Sequence, residues 1–194
     1  MPRLKAPQRR EQLIEVATKL FARSGYDATT TAAIAYAAGV TEPILYRHFK
    51  SKQELFVAIV RDVSRATMDG WNAMTANVTD PAEKIRRVCD AIPDHIKKYA
   101  DHYHVLHGAL STSRDKKVIT VMKEHYREIE EFFAKIVTEG QKTGTFHKTL
   151  NAKATAWQFI TTGIGYAMVS LNLAQIDRPM VEAMIEAMLR GMKC

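Results

Sequence analysis

The chain has 194 residues, of which 25% are charged and 46% are apolar, and its formal net charge is +7 at pH 7. This composition is ordinary for a globular protein that is long enough for one small and one larger domain. No run of about 18 apolar residues and no apolar signal core are present, so we expect neither a membrane span nor secretion, and a cytoplasmic location. The two cysteines, Cys89 and Cys194, do not form a disulfide framework.

Residues 30–52 have the pattern of two short helices joined by a glycine turn. Thr30 or Thr31 is placed to cap the first helix, because a hydroxyl oxygen can accept a hydrogen bond from one of its unpaired N–H groups. Gly39 can adopt the left-handed conformation that ends a helix. Thr41 is placed to cap the second helix. The pattern predicts a helix-turn-helix, whose second helix enters the major groove of DNA.

A further helix, over residues 8–24, is predicted before this pair, and three helices can form a small core where two cannot. Residues 1–52 carry nine Lys and Arg against four acidic residues, a net charge of +5. Such a basic surface attracts the phosphate backbone of nucleic acids. The N-terminal segment is predicted to be an arm that reaches a neighbouring groove or phosphate through Arg3, Lys5, Arg9 and Arg10.

The run LFARSGYDATTTAAIAYAAGVTEPILYRHFKSKQELF closely resembles the N-terminal domain of TetR-type (tetracycline-repressor-like) bacterial transcriptional regulators. The resemblance covers roughly residues 10–60 and fixes both the order of the shared residues and most of the gaps between them. It implies an all-α protein with a helix-turn-helix DNA-binding domain over residues 1–52. It also implies a helical effector-binding and dimerisation domain over residues 53–194.

The resemblance also implies roles for individual residues of the helix-turn-helix. Thr30 and Thr31 would contact phosphate, whereas the bases would be faced by Thr41, Glu42, Pro43 and Ile44. The pattern and the resemblance together assign the DNA backbone to Tyr46, Arg47, His48, Lys50 and Lys52, whereas Arg9 is a DNA contact of the predicted arm. Leu45 and Phe49 would fasten the recognition helix to its core. The Glu42 carboxylate can accept a hydrogen bond from a cytosine amino group, or it can serve only to stabilise the start of the helix.

Helical spacing of apolar residues continues after residue 52, without the alternation typical of strands, so the fold class is all-α. A long helix is predicted from Asp115 to Glu139, ending at Gly140. The last two helices, over 152–174 and 179–192, are apolar on wide faces, which favours a homodimer over the alternative of a single-subunit core. The expected interface residues are Trp157, Gly163, Ile164, Ala167, Met168, Leu171, Met184, Ile185 and Met188.

Apolar and aromatic residues of the middle helices are candidates for lining a ligand pocket, although the same spacing is typical of a plain core. The candidates are Trp71, Ile92, Ile96, Tyr99, Tyr103, Leu106, Leu110, Met122, Tyr126, Ile129, Phe133 and Phe159. Their character favours a small apolar or aromatic effector. By resemblance, this effector would release a dimeric repressor from a palindromic operator.

Two alternatives remain open at this stage. A metal-responsive repressor would use the histidine group His95, His102, His104 and His107, although no HExxH motif or paired CxxC supports a metal site. An effector-independent DNA-binding protein is the other. The sequence contains no phosphate-binding glycine loop and no nucleophile elbow, so we expect neither a cofactor nor an enzyme.

Overall fold

A computed structural model describes residues 5–112, 114–173 and 176–193. Every regular element within these ranges is a helix, and an isolated β-bridge joins Phe146 to Lys193. The helices are α1 (Ala6–Ser24), α2 (Thr31–Ala37), α3 (Glu42–His48), α4 (Lys52–Thr75), α5 (Pro81–Lys98), α6 (Ala100–Thr112), α7 (Lys116–Thr143), α8 (Ala152–Leu173) and α9 (Arg178–Met192). The predicted all-α fold is confirmed. None of these helices combines the length and the apolar character that a membrane span requires.

Contacts divide the chain into two compact units. The first unit consists of Met1–Val63 and Asp101–Glu124, and the second consists of Ser64–Ala100 and His125–Cys194. Helices α4 and α7 therefore each contribute residues to both units. The predicted boundary at residue 52 separates a DNA-binding domain from an effector-binding and dimerisation domain. It divides the chain by function rather than by packing, and it stays a prediction.

Local side-chain chemistry sets where several helices begin. The Asp80 carboxylate accepts a hydrogen bond from the Ala82 N–H at 3.1 Å, and Pro81 occupies the first position of α5, where a missing N–H costs nothing. Asp177 caps α9 in the same way, through the Met180 N–H at 3.0 Å. Pro93 lies inside α5, which continues to Lys98.

The predicted end of the long helix at Gly140 is wrong. Helix α7 continues to Thr143 and is followed by Gly144, whose φ of 78° is the left-handed conformation that favours glycine. Gly140 serves packing instead, because an added Cβ there would lie 2.8 Å from Cγ of the buried Phe146 ring. The glycine therefore makes room for an aromatic side chain and does not stop the helix.

The predicted N-terminal arm is also shorter than expected. Helix α1 begins at Ala6, with Pro7 in its first turn, so Arg9 and Arg10 are helical residues. The Arg10 guanidinium lies 5.0 Å from the centroid of the Phe49 ring. Arg3 and Cys194 lie outside the described residues.

Each unit has its own buried core. In the first unit, the core beneath the helix-turn-helix includes Leu13, Ala17, Phe21, Ile34, Leu45, Phe49, Leu55 and Phe56. In the second unit, a cluster of α4, α5, α7, α8 and α9 side chains includes Trp71, Ile85, Phe133, Val137, Phe146, Phe159 and Leu189. The first core holds the helix-turn-helix in place and the second organises the last two helices.

Candidate nucleic-acid interface

Helices α2 and α3 form the predicted helix-turn-helix. The Thr30 hydroxyl accepts a hydrogen bond from the Ala33 N–H at 3.1 Å and so caps α2. Gly39 follows with a φ of 67°, and the Val40 N–H donates to the Ala35 carbonyl at 2.9 Å, which closes the turn. The predicted turn chemistry is therefore confirmed at Thr30 and Gly39.

Thr41 does not cap α3 with its side chain, contrary to the prediction. Its backbone has the extended conformation of an N-cap, but its hydroxyl makes no capping hydrogen bond. The usual donors are the N–H groups two and three residues later. Here the first of these is Pro43, which has no N–H, and the second, Ile44, donates to the Thr41 backbone carbonyl at 3.0 Å. The exposed Thr41 hydroxyl is thus left outside the helix network.

The recognition helix α3 is fastened to the core by two residues. Leu45 is fully buried and Phe49 is 1% exposed. Burying side chains of this size contributes about 1.5–3 kcal/mol each relative to leaving them in water. The recognition helix is therefore held rigidly, as a reader of DNA bases requires.

The predicted DNA contacts fall into two groups by exposure. The exposed residues are Thr30, Thr41, Pro43, Tyr46, Arg47 and Lys50. The half-buried residues are Arg9, Thr31, Glu42, Ile44, His48 and Lys52. Contact between any of these residues and DNA stays a prediction, and several half-buried members also have partners within the protein.

Lys52 is bound to the loop that precedes α2. Its ammonium donates hydrogen bonds to the backbone carbonyls of Tyr26 at 2.8 Å, Thr29 at 3.0 Å and Asp27 at 3.3 Å. It also lies 4.5 Å from the centroid of the Tyr26 ring. An ammonium has three donors, so these carbonyls use its whole donor capacity. Lys52 shapes the loop that delivers Thr30 to the start of α2.

Arg9 likewise has a partner within the protein. Its guanidinium donates to the Gln12 side-chain oxygen at 2.6 Å, and the Gln12 amide donates to the Ala38 carbonyl at 3.2 Å. These bonds connect α1 to the end of α2. Arg9 therefore supports Gln12 in this connection, in addition to the groove or phosphate contact predicted for it.

Three polar side chains meet between the starts of α2 and α3. The Thr31 hydroxyl donates to Glu42 Oε1 at 2.7 Å, and the Thr31 and Tyr46 hydroxyl oxygens lie 3.1 Å apart. Sequence reasoning treated these residues as separate DNA contacts. Their meeting depends on the angle between the two helices, which no local pattern specifies.

Sequence reasoning also missed three other residues of this unit. Glu54 accepts a hydrogen bond from the Lys50 N–H at 2.7 Å, while the Ser51 hydroxyl accepts from the Glu54 N–H at 3.1 Å. The S-x-x-E spacing of a capping box was a readable signal for this pair. Tyr36 is 88% exposed on α2, and no sequence signal distinguished it from a core aromatic residue.

The second unit contains an apolar cleft between α5, α8 and α9. Its volume is about 400 Å³, including space open to solvent, and its lining is almost entirely apolar. The lining residues are Cys89, Ile92, Phe159, Thr162, Gly163, Tyr166, Val181, Met184, Ile185 and Met188. Burial raises the pKa of the Cys89 thiol to about 12, so it behaves as an apolar group there. The apolar lining of the cleft is suited to contact with an apolar group.

The predicted pocket residues are distributed over both units. Ile92 and Phe159 line the cleft. Six other predicted pocket residues belong to the second unit without lining this cleft, namely Trp71, Ile96, Tyr99, Tyr126, Ile129 and Phe133. The first unit contains Tyr103, Leu106, Leu110 and Met122. Leu110 is 48% exposed, which places it on the surface rather than in a closed pocket.

The residues predicted at the dimer interface differ in exposure. Ala167 and Ile185 are buried inside the chain, at 0% and 6%, so they offer no surface to a partner. Large apolar side chains of α8 and α9 are nonetheless exposed, namely Trp157, Met168, Leu173, Met180 and Met184. The Trp157 indole N–H donates to Glu130 at 2.8 Å, which fixes the orientation of the ring. Gly163, Ile164, Leu171 and Met188 are half-buried.

The histidine group does not form a metal site. Within the described ranges, no three His, Cys, Asp or Glu side chains are arranged to hold a metal ion. His95 belongs to the second unit, whereas His102, His104 and His107 belong to the first. Burial lowers the pKa values of His102 and His107, because it disfavours the charged imidazolium. The metal-responsive alternative therefore has no structural support.

A capped α2, a glycine turn and a core-anchored α3 define a helix-turn-helix DNA-binding protein. Residues 13–59 match the family model for bacterial regulatory proteins of the tetR family. The N-terminal domain of this chain is therefore a DNA-binding domain of the tetR type. Relatives that match this chain are named as transcriptional regulators, which supports a DNA-binding regulator rather than an enzyme.

Named relatives agree with this assignment. The chain is 33% identical to the transcriptional activator FasR of Mycolicibacterium smegmatis over 104 residues, which cover 54% of this chain and about half of FasR (48%). It is 26% identical over 143 residues to the transcriptional repressor KstR2 of the same organism, covering 74% of this chain and 70% of the relative. The fold resembles that of the fatty acid degradation regulator FadR of Bacillus halodurans, with a TM-score of 0.82, 18% identity, and 97% and 95% of the two chains covered.

Proposed function

We propose that this regulator is a homodimeric repressor that binds a palindromic operator and is released by a small apolar or aromatic effector. The observation that carries the proposal is the helix-turn-helix, whose recognition helix and flanking residues leave exposed Thr41, Pro43, Tyr46, Arg47 and Lys50. The positive charge concentrated in residues 1–52 supports binding to the DNA backbone. Because its partner is DNA, we expect it to act in the cytoplasm.

Dimerisation is supported by the apolar side chains that α8 and α9 leave exposed. Met168 and Met180 are each about half exposed, at 48% and 51%, and Leu173 is 61% exposed. A monomer that exposes several large apolar residues on two neighbouring helices presents a surface suited to a partner. Two subunits would also supply the two recognition helices that read an inverted repeat. Light scattering should give a mass of about 44 kDa, twice that of one chain.

An apolar effector is supported by the lining of the cleft in the second unit. Ile92 and Phe159, which were both predicted to line a ligand pocket, provide apolar surface there. The similar fold of a fatty acid degradation regulator makes a long-chain fatty acid a sensible first probe. Saturating palmitate at 100 times its dissociation constant should stabilise the protein by about 2.7 kcal/mol. Ile92→Trp, which narrows the cleft, should abolish this stabilisation, whereas no shift with any apolar or planar compound would favour an effector-independent repressor.

The primary test is selection of bound sequences from a random duplex library at moderate salt. The wild type should enrich an inverted repeat. The double variant Tyr46→Ala/Lys50→Ala should lose this enrichment, and Lys135→Ala, an exposed change in the second unit, should keep it. Recovery of unrelated sequences by all three proteins would mean that binding is only electrostatic, and it would refute the proposal.

A further inference from the structure

The hydroxyl and carboxylate groups between α2 and α3 form a chain of hydrogen bonds with a defined direction. Thr31 has one hydroxyl proton, and it donates this proton to Glu42 Oε1 at 2.7 Å. The contact of 3.1 Å between the Thr31 and Tyr46 hydroxyls therefore requires Tyr46 to be the donor. Tyr46 thus donates a hydrogen bond to Thr31, and Thr31 donates one to Glu42.

This direction conflicts with a phosphate-binding role for the two hydroxyls. Phosphate oxygens are acceptors, so a hydroxyl can bind phosphate only by donating its proton. The protons of Thr31 and Tyr46 are both directed within the protein. A phosphate at this position would also face the Glu42 carboxylate, which is bonded to Thr31 at 2.7 Å and carries a charge of the same sign. Thr31 and Tyr46 are therefore poor phosphate ligands while this chain of bonds is intact.

The same chain of bonds leaves Glu42 prepared to accept a hydrogen bond from a base. Its second oxygen, Oε2, has no hydrogen-bond partner among the residues that the structure describes. In the major groove, cytosine presents an amino donor without a neighbouring acceptor, adenine presents a donor beside an acceptor, and guanine presents only acceptors. A carboxylate with a fixed orientation therefore selects cytosine.

We propose that Thr31 is a positioning residue for base recognition, which fixes Glu42 so that its second carboxylate oxygen reads one cytosine amino group in each half-site, with Tyr46 orienting Thr31. The inference rests on the proposed function, because it requires sequence-specific binding to duplex DNA. It assigns to Thr31 and Tyr46 a role in sequence preference, in place of the phosphate contacts that family resemblance implies.

The experiment measures base preference at every operator position for the wild type, Glu42→Gln, Thr31→Val, Thr31→Ser and Tyr46→Phe. Glu42→Gln should shift preference at one position from cytosine towards adenine by about tenfold, because an amide pairs with adenine through one donor and one acceptor. Thr31→Val, which has the same shape without the hydroxyl, should reduce the cytosine preference at that same position by about threefold to tenfold. Thr31→Ser should restore it, and Tyr46→Phe should give a smaller reduction.

Two further readouts separate positioning from structural or phosphate roles. Thermal unfolding of each variant should stay near the wild-type value, and the affinity of the Thr31 and Tyr46 variants for non-specific DNA should not change. A Thr31→Val variant that binds all sequences equally less tightly, with unchanged preference at every position, would overturn the inference in favour of a phosphate contact. Unchanged preference in Glu42→Gln would overturn it as well. If the wild type itself shows no preference, the proposed sequence-specific function fails, and this inference fails with it.

Discussion

Lys52→Met should destabilise the first unit without removing a phosphate contact. The substitution keeps an apolar stem of similar length beside Tyr26 but removes three hydrogen bonds from a charged donor to backbone carbonyls, at 2.8, 3.0 and 3.3 Å. Hydrogen bonds to charged groups contribute about 1.5–3 kcal/mol, and the half-exposed position lets water replace part of the loss. We expect the free energy of unfolding to fall by about 1.5 kcal/mol, which lowers the melting temperature by about 3–6 °C in a chain of this size.

Lys50→Met is the matched control, because Lys50 lies two residues away and is exposed. If Lys50 contacts phosphate, its loss should reduce the slope of log affinity against log salt by about 0.9 for each bound subunit. Its melting temperature should stay unchanged. Lys52→Met should keep the wild-type slope even where the loosened loop lowers affinity.

The assay combines urea or thermal unfolding with DNA binding by anisotropy at several salt concentrations. The two lysines should separate completely, with stability affected at one position and the salt slope at the other. A Lys52→Met protein with wild-type stability and a slope reduced by about 0.9 would refute the reasoning and return Lys52 to the phosphate backbone.

Two predictions concern the second unit. Gly140→Ala should destabilise it by about 2 kcal/mol, because the added methyl overlaps the Phe146 ring. The control Gly70→Ala adds a methyl that meets nothing within 4 Å, so it should stabilise the protein by about 0.5–1 kcal/mol. Equal melting temperatures for the two variants would contradict this reasoning. Burial lowers the pKa of His125, which is 2.6 Å from the Ser64 hydroxyl, from 6.5 to about 4. Between these values the unfolded chain binds a proton that the folded chain does not, so stability should fall by up to about 3 kcal/mol as pH falls through this window. His125→Asn should flatten this dependence in urea unfolding at pH 7 and 4.5, and an unchanged dependence would assign it to other groups.

The sequence alone determined the elements whose chemistry is local. Thr30 as a cap, Gly39 as a left-handed turn residue and Asp80 with Pro81 at the start of α5 each depend on atoms within a few residues of one another. Helical periodicity was equally sufficient for the all-α class. For such features, the sequence pattern is sufficient because the residues that interact in the structure are also close together in the sequence.

Sequence reasoning failed at helix ends where one residue type was compatible with two roles. Gly140 has the residue type of a helix end, yet Phe146 needs the space beside it, so α7 continues. Thr41 has the residue type of a cap, yet Pro43 removes one of the donors it would need. Residue type at these positions was compatible with two outcomes, and packing or a missing donor decided between them.

The candidate site also combines features that the sequence specifies with features that only packing specifies. The sequence determined that a helix-turn-helix exists and which residues lie on its recognition helix, because a helix of known phase and a glycine turn specify both. Only the tertiary structure decided that Lys52 binds the loop before α2 and that Thr31 meets Glu42 and Tyr46. These contacts depend on the angle and distance between helices, which the core of Leu13, Ile34, Leu45 and Phe56 sets through close packing.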